Sequence, residues 1–203
     1  MGEMRDRMLR GELYVADDPD NAAEYGRIQE LLARFNACAP RAWEERDTLL
    51  RRTLRHVGDH VVVRPPFACE YGAVTIGDRT FVNADVMMID VAPITIGATC
   101  QIATRVQLVT AAHPVDPERR RQGWEYGEPI TLADNVWLGA GVIVCPGVTI
   151  GQDTVVGAGA VVTRDLPPAV VAAGMPARVV REIGERDRAE TPGRGHHGTA
   201  PAP

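Results

Sequence analysis

Residues 132–164 read LADNVWLGAGVIVCPGVTIGQDTVVGAGAVVTR. Every sixth residue in this stretch is aliphatic: Leu132, Leu138, Val144, Ile150, Val156 and Val162. The residue after each is Ala133, Gly139, Cys145, Gly151, Gly157 or Thr163, mostly small. Carried backwards in the same register, the series gains Leu108, Ile102 and Ile96, followed by Val109, Ala103 and Gly97. An earlier block keeps the period at Ile76, Val82 and Met88, offset by two residues around Asp90–Pro93. No helix has period six, and a flat strand alternates with period two.

A hexad fits one flat side of a triangular coil. The aliphatic residue points inward and the small residue lets the chain turn. Three hexads close a coil of roughly 18 residues, and stacked coils bond at an interstrand spacing of about 4.8 Å. A single coil buries its aliphatics only against its neighbours, so several must stack. The fold class expected is mainly β, a parallel β-helix of hexapeptide repeats. Residues 1–57 are different. Ile28, Leu31, Leu32 and Phe35 have helical spacing, and a second amphipathic helix is expected over Asp47–His56, with Pro40 between the two. Three parts follow: an N-terminal helical segment (1–57), the β-helix (58–183) and a disordered tail (184–203), rich in Gly, Pro and His. Pro114–Glu128 interrupts the hexads without losing phase. It is polar and carries Arg119-Arg120-Arg121, so it must leave the coil as a loop (114–128).

Composition excludes several functions. A net charge of -5 argues against broad nucleic-acid binding, which needs a basic face. No apolar run approaches a membrane span, and Met1–Arg10 lacks the apolar core of a signal peptide. Cys38, Cys69, Cys100 and Cys145 form no Cys-x-x-Cys pair, which suits buried free thiols in a reducing, cytoplasmic compartment. The His196-His197 pair in the tail is read as incidental.

Among the five histidines, His113 alone lies in the regular hexads, at the edge of the excursion. Imidazole titrates near neutrality and suits the removal of a proton from a hydroxyl nucleophile. An anchor for the loop is the alternative role. Asn83 occupies a hexad position otherwise taken by small residues, and a turn or a ligand would explain it. Glu125 on the excursion is a candidate to orient the imidazole or to bind the acceptor, with a solvated loop carboxylate as the alternative. A zinc hydratase of the γ-carbonic-anhydrase kind needs about three His ligands, more than the hexads hold. No metal is therefore required.

Several segments resemble the galactoside and maltose O-acetyltransferase family, which includes nodulation acetyltransferases. They are Gly11-Glu12-Leu13-Tyr14, Pro65-Pro66-Phe67, Tyr71-Gly72, Ala112-His113-Pro114, Asn135–Gly139, Pro146–Gly151 and Gly174–Arg178. The resemblance reaches to about Ile183. It implies a left-handed coil, acetyl-CoA as co-substrate and a sugar hydroxyl as acceptor. It also implies His113 as general base and Asn83 as an active-site amide. On the acceptor side it points to Asp17 or Asp18, Glu70 and Phe81. On the acetyl-CoA side it points to Trp137, Ala140, Ala158, Thr163, Arg164, Arg178 and Arg181. Small residues at Ala140 and Ala158 would let the pantetheine arm lie on the backbone, and the arginines would meet phosphates. The chain has no Ser, and no Cys adjoins His113, so direct attack in a ternary complex is expected rather than an acyl-enzyme. An antibiotic or serine acetyltransferase and a non-catalytic scaffold are the alternatives. A homotrimer is expected, because three prisms close around a threefold axis and the family resemblance points the same way. Asn83 and His113 sit at different positions around the prism, so a shared site is easier to build from two subunits.

Overall fold

The hexad residues form the core of the computed structural model, which describes residues 2–185 and 187. Ile76, Val82, Met88, Ile96, Ile102, Leu108, Leu132, Leu138, Val144, Ile150, Val156 and Val162 are all buried. They line the inside of a left-handed prism of about six turns. The first flat face stacks His56–Val57, Val74–Ile76, Ile94–Ile96, Ile130–Leu132 and Thr149–Ile150. The second stacks Val62–Val63, Phe81–Val82, Gln101–Ile102, Trp137–Leu138, Val155–Val156 and Val170–Ala173. The third stacks Phe67–Cys69, Val86–Ile89, Gln107–Val109, Ile143–Val144 and Val161–Val162. Neighbours pair in parallel and in register, core residue over core residue, as in Val82, Ile102 and Leu138. Arg178–Glu182 ends the stack as an antiparallel strand on Val170–Ala173.

The small residue after each core position has a steric cause. A Cβ on Gly139 would lie 2.6 Å from the backbone nitrogen of Ala158 in the next turn. Each corner between the first and second faces carries a residue in the left-handed region, three places after the core aliphatic. These are His60, Arg79, Thr99, Asn135, Asp153 and Ala169, with φ between 55° and 61°. Such a conformation costs roughly 1 kcal/mol or more outside glycine. It persists because the turns above and below fix it.

Three helices precede the coil; the second and third close its lower end, and the first packs Met8 against Tyr14 and Val91. α1 is Glu3–Leu9, α2 is Pro19–Ala37 and α3 is Trp43–Thr53. Asp18 caps α2, accepting from the N–H of Asp20 (2.9 Å) and Asn21 (3.2 Å). Ile28, Leu31, Leu32 and Phe35 on α2 join the core of the prism. The lowest third-face strand would be an open edge. Asn36 covers it, donating to the Phe67 carbonyl and accepting from the Phe67 N–H, both at 2.9 Å.

The structure differs from the sequence expectations in an additional first helix, in the bounds of the helix after Pro40 and in the excursion. The helix after Pro40 begins at Trp43 and ends at Thr53, because the chain beyond is claimed by the coil. The Arg55 N–H donates to the Gly72 carbonyl (2.8 Å), and His56–Val57 pairs with Thr75–Ile76. The excursion is also more ordered than a loop. Ala111–Ala112 pairs antiparallel with Tyr126–Gly127, and Trp124–Glu125 pairs with Tyr14–Val15. α4, Pro117–Arg121, sits at the tip. The arm's backbone groups thereby find partners away from the coil. Apart from residues 184, 185 and 187, the tail segment expected over 184–203 lies outside the described residues. Among the described residues no helix is long and apolar enough to cross a membrane.

Candidate active site

Two edges of the prism carry the residues singled out in the sequence. The edge between the second and third faces is regular. Asn83-Ala84, Ala103-Thr104, Gly139-Ala140 and Gly157-Ala158 lie one above another. The column is bonded through Arg105 N–H to Ala84, Gly141 N–H to Thr104 and Gly159 N–H to Ala140. Ala140 and Ala158 are exposed. No backbone acceptor among the described residues takes either N–H. Trp137 projects outward on the adjoining second face, 53 % exposed. Phe81 projects from the same face lower down, with Arg64 5.0 Å from its ring centroid. Arg178 begins the closing strand at this edge. Arg181 stands farther along that strand, paired with both carboxylate oxygens of Asp187 at 2.7 and 2.8 Å.

The edge between the third and first faces is irregular. The core spacing of six lengthens to seven from Cys69 to Ile76, to eight from Met88 to Ile96, and to 24 from Leu108 to Leu132. The surplus residues build a polar pocket. Asp90 is fully buried in it, accepting from the N–H of Glu70 (2.6 Å), Tyr71 (3.1 Å) and Ala73 (2.6 Å) in the turn below. Burial nonetheless raises its pKa, against the pull of those bonds. Glu70 beside it is also held above the ordinary carboxylate range, first by burial and then by Asp90 and Glu125. Burial with Glu70 and Glu125 nearby lifts the Tyr71 phenol to about 12.

His113 stands where the arm leaves this edge. Its Nδ1 lies 3.4 Å from the Trp124 carbonyl, and its Nε2 lies 3.9 Å from Oε2 of Glu125. A carbonyl only accepts, so a hydrogen bond in that contact requires the proton on Nδ1. The imidazole is 57 % exposed and the Glu125 side chain 16 %. Tyr14, buried and paired in register with Glu125, fills the space behind. Thr163 and Arg164 lie exposed at the top of the same edge. Asp17 is exposed next to the capping Asp18, whose carboxylate is already used by α2.

The structure therefore groups Glu70, His113 and Glu125 on one edge and Asn83, Ala140 and Ala158 on another. The third face separates the two groups. It is four residues wide at Val86–Ile89, about 13 Å at roughly 3.3 Å per residue. Sequence reasoning missed Tyr14, Tyr71 and Asp90. The two-residue offset around Asp90 was the signal in the sequence that pointed toward Asp90 itself.

The family profile described as "Maltose acetyltransferase hexapeptide capping motif" matches residues 7–58, and "Bacterial transferase hexapeptide (six repeats)" matches residues 129–164. The galactoside O-acetyltransferase of Escherichia coli K12 is 39% identical over 186 residues, covering 91% of this chain and 92% of that one. Nodulation protein L of Rhizobium meliloti is 44% identical over 176 residues, covering 86% and 96%. A solved galactoside acetyltransferase in complex with coenzyme A superposes with a TM-score of 0.89 at 39% identity, covering 93% of this chain and 94% of that one.

Proposed function

The chain belongs to the hexapeptide-repeat O-acetyltransferases of the maltose and galactoside type and depends on acetyl-CoA; from that premise we propose that its acceptor is a sugar hydroxyl and that His113 is the general base. The observation that carries the assignment is the His113 imidazole, 57 % exposed, with Nδ1 against a carbonyl and Nε2 3.9 Å from Glu125. In a ternary complex Nε2 removes the proton of the acceptor hydroxyl. The oxygen attacks the thioester carbonyl, and the tetrahedral intermediate collapses. The CoA sulfur leaves and takes the proton back from His113, so no acyl-enzyme forms. Glu125 stabilises the imidazolium between the two proton transfers. A free N–H of Ala140 or Ala158 supports the oxyanion.

The cofactor runs along the regular edge, where Trp137, Ala140 and Ala158 leave room for the pantetheine arm. Arg178 and Arg181 supply charge for its phosphates from the same chain, and Thr163 and Arg164, on the other edge, reach it from the neighbouring subunit. Asp17, Glu70, Phe81 and Asn83 face the acceptor. A homotrimer brings Asn83 of one subunit to His113 of the next, which closes the gap that the third face leaves within one prism. All four cysteines are free, consistent with a cytoplasmic setting. The test is thiol release from acetyl-CoA with a panel of sugars, amino acids and aminoglycosides. A sugar should give the highest kcat/KM. A higher value for a non-sugar acceptor would overturn the acceptor assignment.

A further inference from the structure

A second concavity, of about 250 Å³, lies between the three helices and the first turns of the coil. Each helix brings it a guanidinium: Arg5 from α1, Arg27 from α2 and Arg52 from α3, with Arg55 just beyond. Glu24 and Asp90 are the carboxylates of its lining, so four cations stand against two anions, a formal balance of +2. Both anions are engaged. Glu24 holds Arg27 through two bonds of 2.9 and 2.7 Å, and Asp90 accepts from three backbone N–H groups. Arg5 donates one bond to Asn21 at 3.2 Å. Arg52 and Arg55 are exposed and have no side-chain hydrogen bond or ion pair among the described residues. Complementing the negative end of the α3 dipole does not account for them. Arg51 already fills that role, donating to the carbonyls of Val57 and Gly58 at 2.6 and 3.1 Å and to Asp47 at 2.8 Å.

The place of these arginines is fixed by backbone. Arg55 N–H bonds to Gly72, and the Thr53 carbonyl approaches Gly72 so closely that no Cβ fits there. Gly72 also takes a φ of 69°, which glycine adopts without strain. The end of α3 is therefore locked against Tyr71-Gly72-Ala73. Met8, Tyr71 and Val91 wall the concavity on the other side and pack with Tyr14, the residue behind Glu125. That apolar wall shuts the arginines off from the His113 pocket.

We propose that this cleft is a second binding site, for a phosphate group, separate from the acetyl acceptor. One guanidinium satisfies a carboxylate, whereas a phosphate offers enough oxygens for several guanidinium forks at once. Its charge near -2 at neutral pH also matches the balance of the lining. The source is inorganic phosphate or the phosphate of a small soluble ester, since the open side of the cleft admits either. Binding here needs no acetyl transfer, so the site stands whatever the acceptor proves to be.

Inorganic phosphate, glucose 6-phosphate and acetate are titrated calorimetrically into the full chain with CoA saturating. Phosphate should bind once per chain and acetate should not. Arg52→Gln/Arg55→Gln should weaken phosphate binding by roughly 10–100-fold, the worth of charge-assisted hydrogen bonds. Arg119→Gln/Arg121→Gln, which removes the same charge at the tip of the arm, should leave it unchanged. Tighter binding of glucose 6-phosphate than of phosphate assigns the site to an ester, and the reverse assigns it to the free ion. No phosphate binding, or an equal loss in both double variants, overturns the site. Acetyl transfer is the second readout. In the Arg52/Arg55 variant kcat/KM for the sugar should change by less than about twofold, and a tenfold fall would contradict the separation of the two sites. If no sugar is acetylated, the acceptor reading fails and the calorimetry alone decides the cleft. Should the double variant not fold by circular dichroism, Arg52→Gln alone carries the comparisons.

Discussion

The two edges of the third face are made from one repeat and end up chemically opposite. On the edge shared with the second face the spacing from Val82 to Met88, Ile102 to Leu108, Leu138 to Val144 and Val156 to Val162 is six each time. On the edge shared with the first face it is seven, eight and 24 before returning to six from Val144 to Ile150. Regular turns stack small residues into a straight, shallow track, which suits a long flexible cofactor. Surplus residues cannot enter the prism, so they collect outside it and trap polar side chains. Asp90, Glu70, Glu125 and His113 all arise this way. The scaffold comes from keeping the period, and the acidic pocket beside His113 comes from breaking it.

The largest effect should fall on the irregular edge. His113→Ala should lower kcat by roughly 10²–10⁴-fold, the usual worth of general-base catalysis. Its exposed ring packs little, so the melting temperature should hardly move. A folded variant with full kcat would remove His113 from the chemistry. On the regular edge the response should be of another kind. If the cofactor follows the proposed track, Ala158→Leu should raise KM for acetyl-CoA by roughly tenfold, with kcat little altered, by the cost of overpacking. If kcat falls instead and KM stays, the track does not carry the cofactor.

The smallest effect is one of pH. Glu70 has a folded-state pKa raised above its ordinary value of 4.5. Its contribution to stability is fully present below that value and is lost as the pH rises through the folded pKa. Glu70→Gln should therefore melt higher than the natural protein at pH 8, by a few degrees at most, since solvent screens a partly exposed carboxylate. The gain should fade as the pH drops toward 4.5. A difference that stays flat across this range would contradict the account of the pocket as a desolvated acidic site.

Much of the prism was legible because its core positions recur in sequence at a fixed distance. The period alone located twelve residues that prove to be buried. Most of the pocket was not legible for the opposite reason. Tyr14 meets Glu125 through a strand pairing between the N-terminal segment and the arm, and nothing local in either segment announces it. Asp90 looks like an interruption of the hexads until its three backbone donors in the lower turn are seen. α1 escaped notice because Met8 is its one buried residue, too little for a periodic signal. His113 stood out from its place at the edge of the excursion. Glu70 and the cofactor residues came only through family resemblance.

The central claim is that one active site is assembled from both edges, contributed by different subunits. Subunit mixing tests it most directly. His113→Ala and Asn83→Ala proteins, each inactive alone, are denatured together in equal amounts and refolded, with exchange confirmed by a mass tag. Three-quarters of randomly assembled trimers are mixed, and each mixed ring regains one intact site. Activity should therefore return to roughly a quarter of that of the natural protein, by ring-closure counting. Activity that stays at the mutant floor despite exchange would place both residues in a site within one subunit and contradict the account.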